Sequence, residues 1–369
     1  MRRLALIALL GLVLLVSADA GVPLVVHEWG TITTVHDAKG VAQGRLNRID
    51  PTEVLPGFVH RYEPPTTRFD TNLNLGKWPH VPGRPDVTMR LETPVIYFYP
   101  GGPVPGSIDV SVRFRGGVLN EYYPKAAPDI AVDDQRIRDK QAAGMPLKWD
   151  GKTLNNYVVG SLAWKGLKLT SDIKPPATHS AVWLAPREVR ATGVATAAGE
   201  SEHYVFYRGV GALSALLTTQ LTPAELKVGA PANLLWLKGK SAVIPRVWFA
   251  SIRADGSVAY REHGALTLDA ERAGTPLASF GNFTSSDFSP ENLNRLRAAM
   301  KLELVSQGLF EDEAQAMLNT WKASYFEKPG ARVFYIVPRA WTDYFLPLQF
   351  SVPADVTRVL VGRVDLLER

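Results

Sequence analysis

The chain has no cysteine in its 369 residues. Disulfide bonds, thiolate metal sites and a cysteine nucleophile are therefore excluded. A protein of this length without disulfides must be stabilised by packing alone.

Several catalytic and nucleotide-binding motifs are also missing. No G-x-S-x-G sequence occurs, which argues against the serine nucleophile of an α/β-hydrolase. Gly239–Ser241 looks like the end of a P-loop, but Leu234 stands where the first glycine is required. His27 and Glu28 start like a zinc-protease motif, but position 31 is threonine instead of the second histidine.

The basic residues are scattered along the chain. The formal net charge is +5, and no Lys/Arg run of the kind that binds nucleic acid is present. We therefore expect no nucleic acid partner and interpret the mild positive excess as a solvated surface.

The N-terminus has the organisation of a signal peptide. Arg2 and Arg3 form a positive region before the apolar run Leu4–Val16, and Ala18–Ala20 provides a small-x-small cleavage site. We expect cleavage near Ala20 and export to the periplasm or the medium. The alternative is an uncleaved N-terminal anchor. No later stretch is apolar enough to cross a bilayer.

The mature chain opens with a strand-like segment, Val22–Val35. Because side chains alternate along a strand, His27 and Trp29 point to one face and Glu28 points to the other. His27 and Glu28 are the catalytic candidates, although a regular strand cannot place both in one site. Gly30 predicts a bulge or a close approach of another backbone.

A proline-punctuated segment without regular periodicity covers residues 36–93. A loop this long is usually functional or disordered, and its aromatic and aliphatic content is too high for plain disorder. We expect it to fold down over the first strand. It would then bring together four histidines as candidate metal ligands: His27, His36, His60 and His80. Their spacing matches no short metal motif, so scattered surface or core histidines are the alternative.

The remainder of the chain favours strands. Apolar runs predict many of them, including 108–115, 157–169 and 180–184. A charged segment over 133–143 predicts a helix, and residues 289–328 predict a pair of amphipathic helices. We predict a mainly β fold with antiparallel, sandwich-like sheets and this late inserted helical pair, in one β-rich unit over residues 21–369.

One hairpin is clearly indicated by the dipeptide Asp255–Gly256. As a two-residue turn between strands over 246–254 and 257–264, it places Trp248 opposite His263. We expect the two rings to stack at a sheet edge.

Three glutamates lie in or beside apolar strands: Glu28, Glu92 and Glu202. A buried carboxylate needs a partner, or its pKa rises. Arg90 and Arg208 are the predicted partners, and buried ion pairs are favoured over paired acid/base carboxylates.

The chain is also rich in aromatic residues, with nine tryptophans and twelve tyrosines. Exposed rings on a β-sandwich can stack on sugar faces, whereas the simpler interpretation is that most of them are core residues. We name four candidate binding residues for a small molecule, a glycan or an envelope component: Trp29, Arg208, Trp248 and His263.

The opening sequence His27–Thr31, just after the leader, resembles that of a family of exported bacterial proteins. Further pieces of the resemblance lie across most of the mature chain, at 92–95, 207–211, 333–339, 346–348 and 361–363. Ile32 stands where the family pattern leads us to expect phenylalanine. The resemblance implies export and a shared fold, and it implies no catalytic residue.

Two functions are consistent with these observations. The first, which we favour, is an exported non-catalytic binding or envelope-associated protein, since no nucleophile or ligand set can be assembled. The alternative is an exported hydrolase or metal-dependent enzyme whose histidine-lined site lies around His27 and the 36–93 segment. In that case His27→Ala should abolish activity or metal uptake with little loss of stability.

Overall fold

The computed structural model describes residues 24–46, 55–62, 86–102, 106–132 and 157–367. Three sequence predictions lie outside the described residues: the signal peptide, the helix over 133–143 and the placement of His80. The described residues form a mainly β fold with helices late in the chain, which confirms the predicted fold class.

The strands account for most of the regular structure. The earlier ones are β1 (Leu24–His36), β2 (His60–Arg61), β3 (Met89–Tyr99), β4 (Ile108–Arg115), β5 (Gly117–Tyr123), β6 (Ala127–Val132), β7 (Val158–Thr170), β8 (Gly193–Ala195), β9 (Ser201–Glu202) and β10 (Val205–Gly211). The later ones are β11 (Thr218–Leu221), β12 (Glu225–Gly229), β13 (Ala242–Ile244), β14 (Val247–Ile252), β15 (Val258–His263), β16 (Leu266–Leu268), β17 (Pro276–Gly281), β18 (Gly330–Ile336), β19 (Leu348–Phe350) and β20 (Ala354–Leu366). One sheet contains 15 strands, β11, β12 and β17 form a second sheet, and β13 pairs with β16.

Strand β1 lies in the middle of the large sheet, between β20 and β3. Its side chains are buried on both faces, which explains the near-continuous run of apolar and threonine residues. Most neighbouring strands are antiparallel, as predicted, but β1 and β20 run parallel over their whole length. A parallel pair needs a long connection, and these two strands come from opposite ends of the chain.

Gly30 marks an irregularity, as the sequence predicts. Strand β3 carries an extra residue opposite Gly30, so that the register with β1 shifts between Trp29 and Thr31. Thr93 in this bulge has a left-handed φ of 49°. A Cβ atom at position 30 would lie 2.8 Å from the Cα of Pro94. Glycine is therefore required because the backbone of β3 approaches β1 so closely.

In the described residues four α-helices accompany the strands: α1 (Ala181–Leu184), α2 (Glu291–Ser306), α3 (Glu311–Thr320) and α4 (Arg339–Phe345). The predicted helical pair is confirmed by α2 and α3. The strand predicted over 180–184 is wrong, because these residues form α1, and a short apolar run does not distinguish a buried strand from a buried helix. None of the described helices is long and apolar enough to span a bilayer.

The alternation of β1 separates two hydrophobic cores. The sheet-side core contains Leu24, Val26 and Ile32, packed with side chains of β12 and β16. The helix-side core contains Trp29, packed with side chains of α2 and α3. Each polar side chain of β1 therefore faces one of two different environments.

The segment 36–93 is only partly irregular. Within its described portion, Leu55 and Val59 belong to the helix-side core, and Phe58 packs edge-on against Tyr123 and Trp183. Residues 55–62 thus fold down onto the large sheet, but β2 pairs with β5 and not with the first strand, over which the segment was expected to lie. The predicted extent of the loop is wrong at its end, because β3 already begins at Met89.

The hairpin around Gly256 has a longer turn than predicted. The amide of Arg253 donates to the carbonyl of Ser257 at 3.0 Å, and Gly256 has a φ of 80°, which is the pattern of a three-residue loop with a glycine bulge. Trp248 therefore pairs with Glu262 and not with His263. The predicted stacking of Trp248 on His263 is wrong, because a shift of one residue places them on opposite faces.

Candidate functional site

The two catalytic candidates lie on opposite faces of β1, as the alternation predicts. His27 faces α3, where its Nδ1 lies 2.7 Å from Oε2 of Glu313. Glu28 faces the sheet-side core, where it accepts a hydrogen bond from the hydroxyl of Tyr207 at 2.6 Å. The structure does not bring His27 and Glu28 into one site.

The surroundings of His27 are closed. Its exposed fraction is 4%, and its ring packs against those of Phe310 and Tyr99. Glu313 also accepts hydrogen bonds from the hydroxyl of Tyr99 at 2.8 Å and the amide of Phe310 at 2.7 Å. Burial and the neighbouring carboxylate of Glu313 raise the pKa of Tyr99 far above its usual value. These hydrogen bonds connect β1 and β3 to the start of α3. No sequence pattern predicted a contact between His27 and Glu313.

Glu28 belongs to a buried ion pair. Nε of Arg358 donates to Oε2 of Glu28 at 2.5 Å, and Nη1 of Arg358 donates to Asp343 at 3.0 Å. Burial works against the charge of Arg358, but Glu28 and the other acidic neighbours prevail and raise its pKa. Neither predicted partner, Arg90 or Arg208, therefore pairs with Glu28. Strand β20 places Arg358 directly opposite Glu28 instead.

The other two glutamates are also paired. Glu92 forms an ion pair with Arg90, as predicted. Burial opposes the ionisation of Glu92, yet the nearby guanidinium groups, led by that of Arg90, hold its pKa below the usual value. Glu202 binds Arg187 at 2.6 Å instead of a predicted partner. All three glutamates thus fit the interpretation as buried ion pairs.

The described histidines do not converge. His27 and His36 lie near opposite ends of β1, about 30 Å apart at roughly 3.3 Å per residue, so they cannot share a metal ion whose ligand bonds are about 2 Å. His60 binds Glu200 at 2.7 Å beside β5. Within the ranges that the structure describes, no group of three His, Cys, Asp or Glu side chains could hold a metal ion. The shared histidine site is therefore wrong for these three residues.

His36 has a structural environment of its own. Its Nδ1 lies 2.8 Å from the hydroxyl of Thr219 in β11, and the side chain is buried. Burial lowers the pKa of His36 to about 4, although Asp37 acts in the opposite direction. His36 is thus a neutral contact between the end of β1 and the three-stranded sheet.

The candidate binding residues are mostly inside the protein. Trp29, Trp248 and Arg208 are buried, and Arg208 pairs with Glu121 at 3.4 Å. His263 is half-buried and lies edge-on to Phe280. Every tryptophan in the described part of the chain is buried, so these indole rings form cores and not a stacking surface.

A groove opens on another part of the molecule. The hairpin groove, as we call it, has a volume of about 930 Å³ and lies between residues 220–223, the β14–β15 hairpin and residues 329–331. Its apolar side chains include Phe249, Phe283 and Phe288. The first two are stacked with centroids 4.6 Å apart.

Two cations lie at the hairpin groove. Lys39 and Arg253 are exposed and line it, and the guanidinium of Arg253 lies 3.6 Å from the centroid of Phe288. Neither side chain forms a salt bridge within the described part of the chain. The groove therefore presents positive charge next to aromatic surface.

Sequence reasoning did not find this groove. Its lining comes from five separated segments, and none of them carries a recognised motif. The nearest signal was the turn around Gly256, which predicted the hairpin and not the cavity beside it.

Comparisons with known proteins add little. A scan with protein-family models finds no match, and a search of curated proteins finds none. Among solved structures, the Fcho1 Mu homology domain of Danio rerio with bound Eps15 peptide matches 95% of this chain and 97% of that chain, with 7% identity and a TM-score of 0.26. A similarity this low supports no argument about fold or function.

Proposed function

We propose that the chain is an exported, non-catalytic binding protein that holds an acidic ligand in the hairpin groove. The observation that carries this proposal is the pair of cations, Lys39 and Arg253, beside a floor that includes Phe249 and Phe283. Ligand sites are usually concave, mainly apolar and furnished with a few polar groups, and a volume of 930 Å³ is in the usual range.

The lining favours binding over catalysis. The described residues that line the groove include no histidine, aspartate or glutamate. The described wall therefore offers neither an imidazole nor a carboxylate as a general acid or base. The hydroxyl of Thr222 already donates to the backbone carbonyl of Glu225 at 3.0 Å.

The chemistry of the groove points to an acidic oligosaccharide as the ligand class. The apolar floor suits the C–H face of a sugar ring, and the two cations suit its carboxylate groups. The side chains of Gln220 and Asn282 are polar groups at the same groove that can bond to hydroxyls.

The enzymatic alternative has less support. His27 is buried beneath Phe310 and Tyr99, and its Nδ1 is engaged by Glu313. A substrate would have to displace this packing before reaching the imidazole. The histidines that were expected to join His27 lie elsewhere in the described structure.

The test is a binding measurement with an oligogalacturonate, an acidic sugar chain, and a malto-oligosaccharide as the neutral comparison. Isothermal titration calorimetry should show saturable binding of the acidic chain and weaker or undetectable binding of the neutral one. Lys39→Ala combined with Arg253→Ala should weaken binding about tenfold or more. The proposal fails if neither sugar binds, or if the acidic chain is cleaved.

A matched control comes from another exposed arginine. Arg190 is largely exposed and pairs only loosely with Asp312 at 3.7 Å, away from the groove lining. Arg190→Ala should bind the acidic chain like the wild type. Equal losses in both variants would mean that binding depends on net charge and not on the groove.

Export is the second part of the proposal, and the leader-like N-terminus supports it. N-terminal sequencing of the protein recovered from the periplasm or the medium should begin near Gly21. Recovery of the uncleaved chain in the membrane fraction would contradict this part without affecting the groove.

A further inference from the structure

A second opening lies against helix α4. The aromatic cleft, as we call it, has a volume of about 410 Å³ and lies between the loop 231–236, the segment 212–216 and helix α4. Its wall on α4 consists of Trp341, Tyr344 and Phe345. The rings of Phe345 and Trp341 are 4.7 Å apart, and those of Phe345 and Tyr344 are 4.8 Å apart.

Most of the cleft lining is apolar. Besides the aromatic wall it includes Leu213, Leu216 and Trp236, whereas Ser214 and Asn233 are among its few polar members. A sugar site needs several side chains that bond to hydroxyl groups. The lining suits a hydrocarbon better than a sugar, which sets this cleft apart from the hairpin groove.

The lip of the cleft carries an exposed leucine, Leu235. Leu235 has an exposed fraction of 80%, although its neighbour Trp236 is buried. A single exposed leucine is not unusual, but this one lines a cleft that is already apolar. It extends the apolar surface outwards, where the tail of an entering ligand would pass.

Two cations lie at one residue of the wall. Nζ of Lys238 is 5.6 Å from the centroid of Tyr344, and the guanidinium carbon of Arg115 is 5.0 Å from it. Neither cation forms a salt bridge with an acid in the described ranges. Their charge is therefore available to an anionic group placed next to Tyr344.

The backbone at Lys238 points the same way. Lys238 has a left-handed φ of 51°, a conformation that glycine and asparagine adopt more often than other residues. Gly239 follows with a φ of 77°. Lys238 ends the short helical turn Leu235–Leu237 in this conformation, so its position relative to Tyr344 is set by the backbone.

We propose that the aromatic cleft binds a single-chain anionic amphiphile, such as a fatty acid. The carboxylate lies beside Lys238 and Arg115, and the hydrocarbon chain packs between Leu235 and the aromatic wall of α4. Charge complementarity selects the head group, and the apolar lining selects the tail. This site is independent of the proposed ligand of the hairpin groove.

The test is isothermal titration of the full chain with decanoate below the concentration at which it forms micelles. Wild type should bind it saturably, and an uncharged amphiphile, octyl glucoside, should bind more weakly. Lys238→Glu should weaken decanoate binding about tenfold or more, and Lys238→Arg should retain it. Leu235→Ser should also weaken binding, because it removes apolar surface at the lip.

The matched control is Lys240→Glu, because Lys240 is exposed, lies two residues further on, and is not one of the cations over the ring of Tyr344. It should bind decanoate like wild type, and so should Arg253→Ala in the hairpin groove. Absence of saturable decanoate binding would overturn the proposal, as would equal losses in Lys238→Glu and Lys240→Glu. Sedimentation with phosphatidylglycerol vesicles without decanoate binding would also overturn it, in favour of a membrane surface.

Discussion

Glu28 and Arg358 face each other across the parallel pair of β1 and β20 and form a buried ion pair at 2.5 Å. The two residues are 330 positions apart in the chain. Tyr207 donates to the second carboxylate oxygen, so the pair connects β1, β20 and β10 at the centre of the large sheet.

Removing one partner of this pair should be costly. Arg358→Met leaves the carboxylate of Glu28 buried without its cation, and we expect the free energy of unfolding to fall by about 4 kcal/mol. Urea unfolding measures the change. The double variant Glu28→Gln with Arg358→Met should recover much of the loss, because the amide oxygen can still accept from Tyr207. The exposed pair formed by Arg339 supplies the control: Arg339→Met should cost less than about 1 kcal/mol.

His27 is expected to act through structure. His27→Ala leaves Glu313 without its buried partner and opens a cavity beneath Phe310, so stability should fall by about 3 kcal/mol. Binding at the hairpin groove should persist in the folded fraction. The partly exposed pair of His60 and Glu200 provides the comparison, and His60→Ala should cost about 1 kcal/mol or less. A His27→Ala protein of unchanged stability that has lost a specific activity would instead restore His27 as a catalytic residue.

His36 should make stability depend on pH. Its pKa is 6.5 when unfolded and about 4 in the folded protein, so the unfolded state binds more protons between these values. Stability should be unaffected by His36 above about pH 6.5 and fall as the pH is lowered, by about 3 kcal/mol in total near pH 4. His36→Gln, whose amide can still bond to Thr219, should lack this contribution. Parallel stability curves for the two proteins from pH 7 to about pH 4 would contradict the prediction.

Gly30 should not tolerate even one added methyl group. Gly30→Ala places a Cβ atom 2.8 Å from the Cα of Pro94, and relieving this contact should cost about 2 kcal/mol. Gly281 is a strand glycine with open space around its Cβ position, so Gly281→Ala should change stability far less. Thermal unfolding of both variants distinguishes them, and equal melting temperatures would argue against the close approach at position 30.

Local patterns predicted the parts of the fold that depend on neighbouring residues. The pairing of Glu92 with Arg90 was accessible because two residues apart on one strand share a face. The helical pair followed from apolar stripes with helical spacing. The register of the hairpin failed by one residue, because the dipeptide Asp255–Gly256 fits both a two-residue and a three-residue turn.

The site could not be predicted in the same way. Glu28 and Arg358 are 330 positions apart, and His27 and Glu313 are 286 positions apart. No spacing rule in the sequence relates the two members of either pair. The hairpin groove and the aromatic cleft are shapes between elements, so their lining residues share no pattern in the chain. The histidines looked like a set only because they are close in sequence, and β1 separates two of them along its length.

By itself, the sequence determined the absence of disulfides, the strand-rich character, the opposite facing of His27 and Glu28, and the irregularity expected at Gly30. These follow from residue chemistry and from the period of a strand, which are local properties. Only the tertiary structure decided that β20 lies parallel to β1, which cation neutralises each buried carboxylate, and where cavities remain. Those outcomes depend on packing between distant segments, and the free energy of that packing is not encoded in any single stretch of the chain.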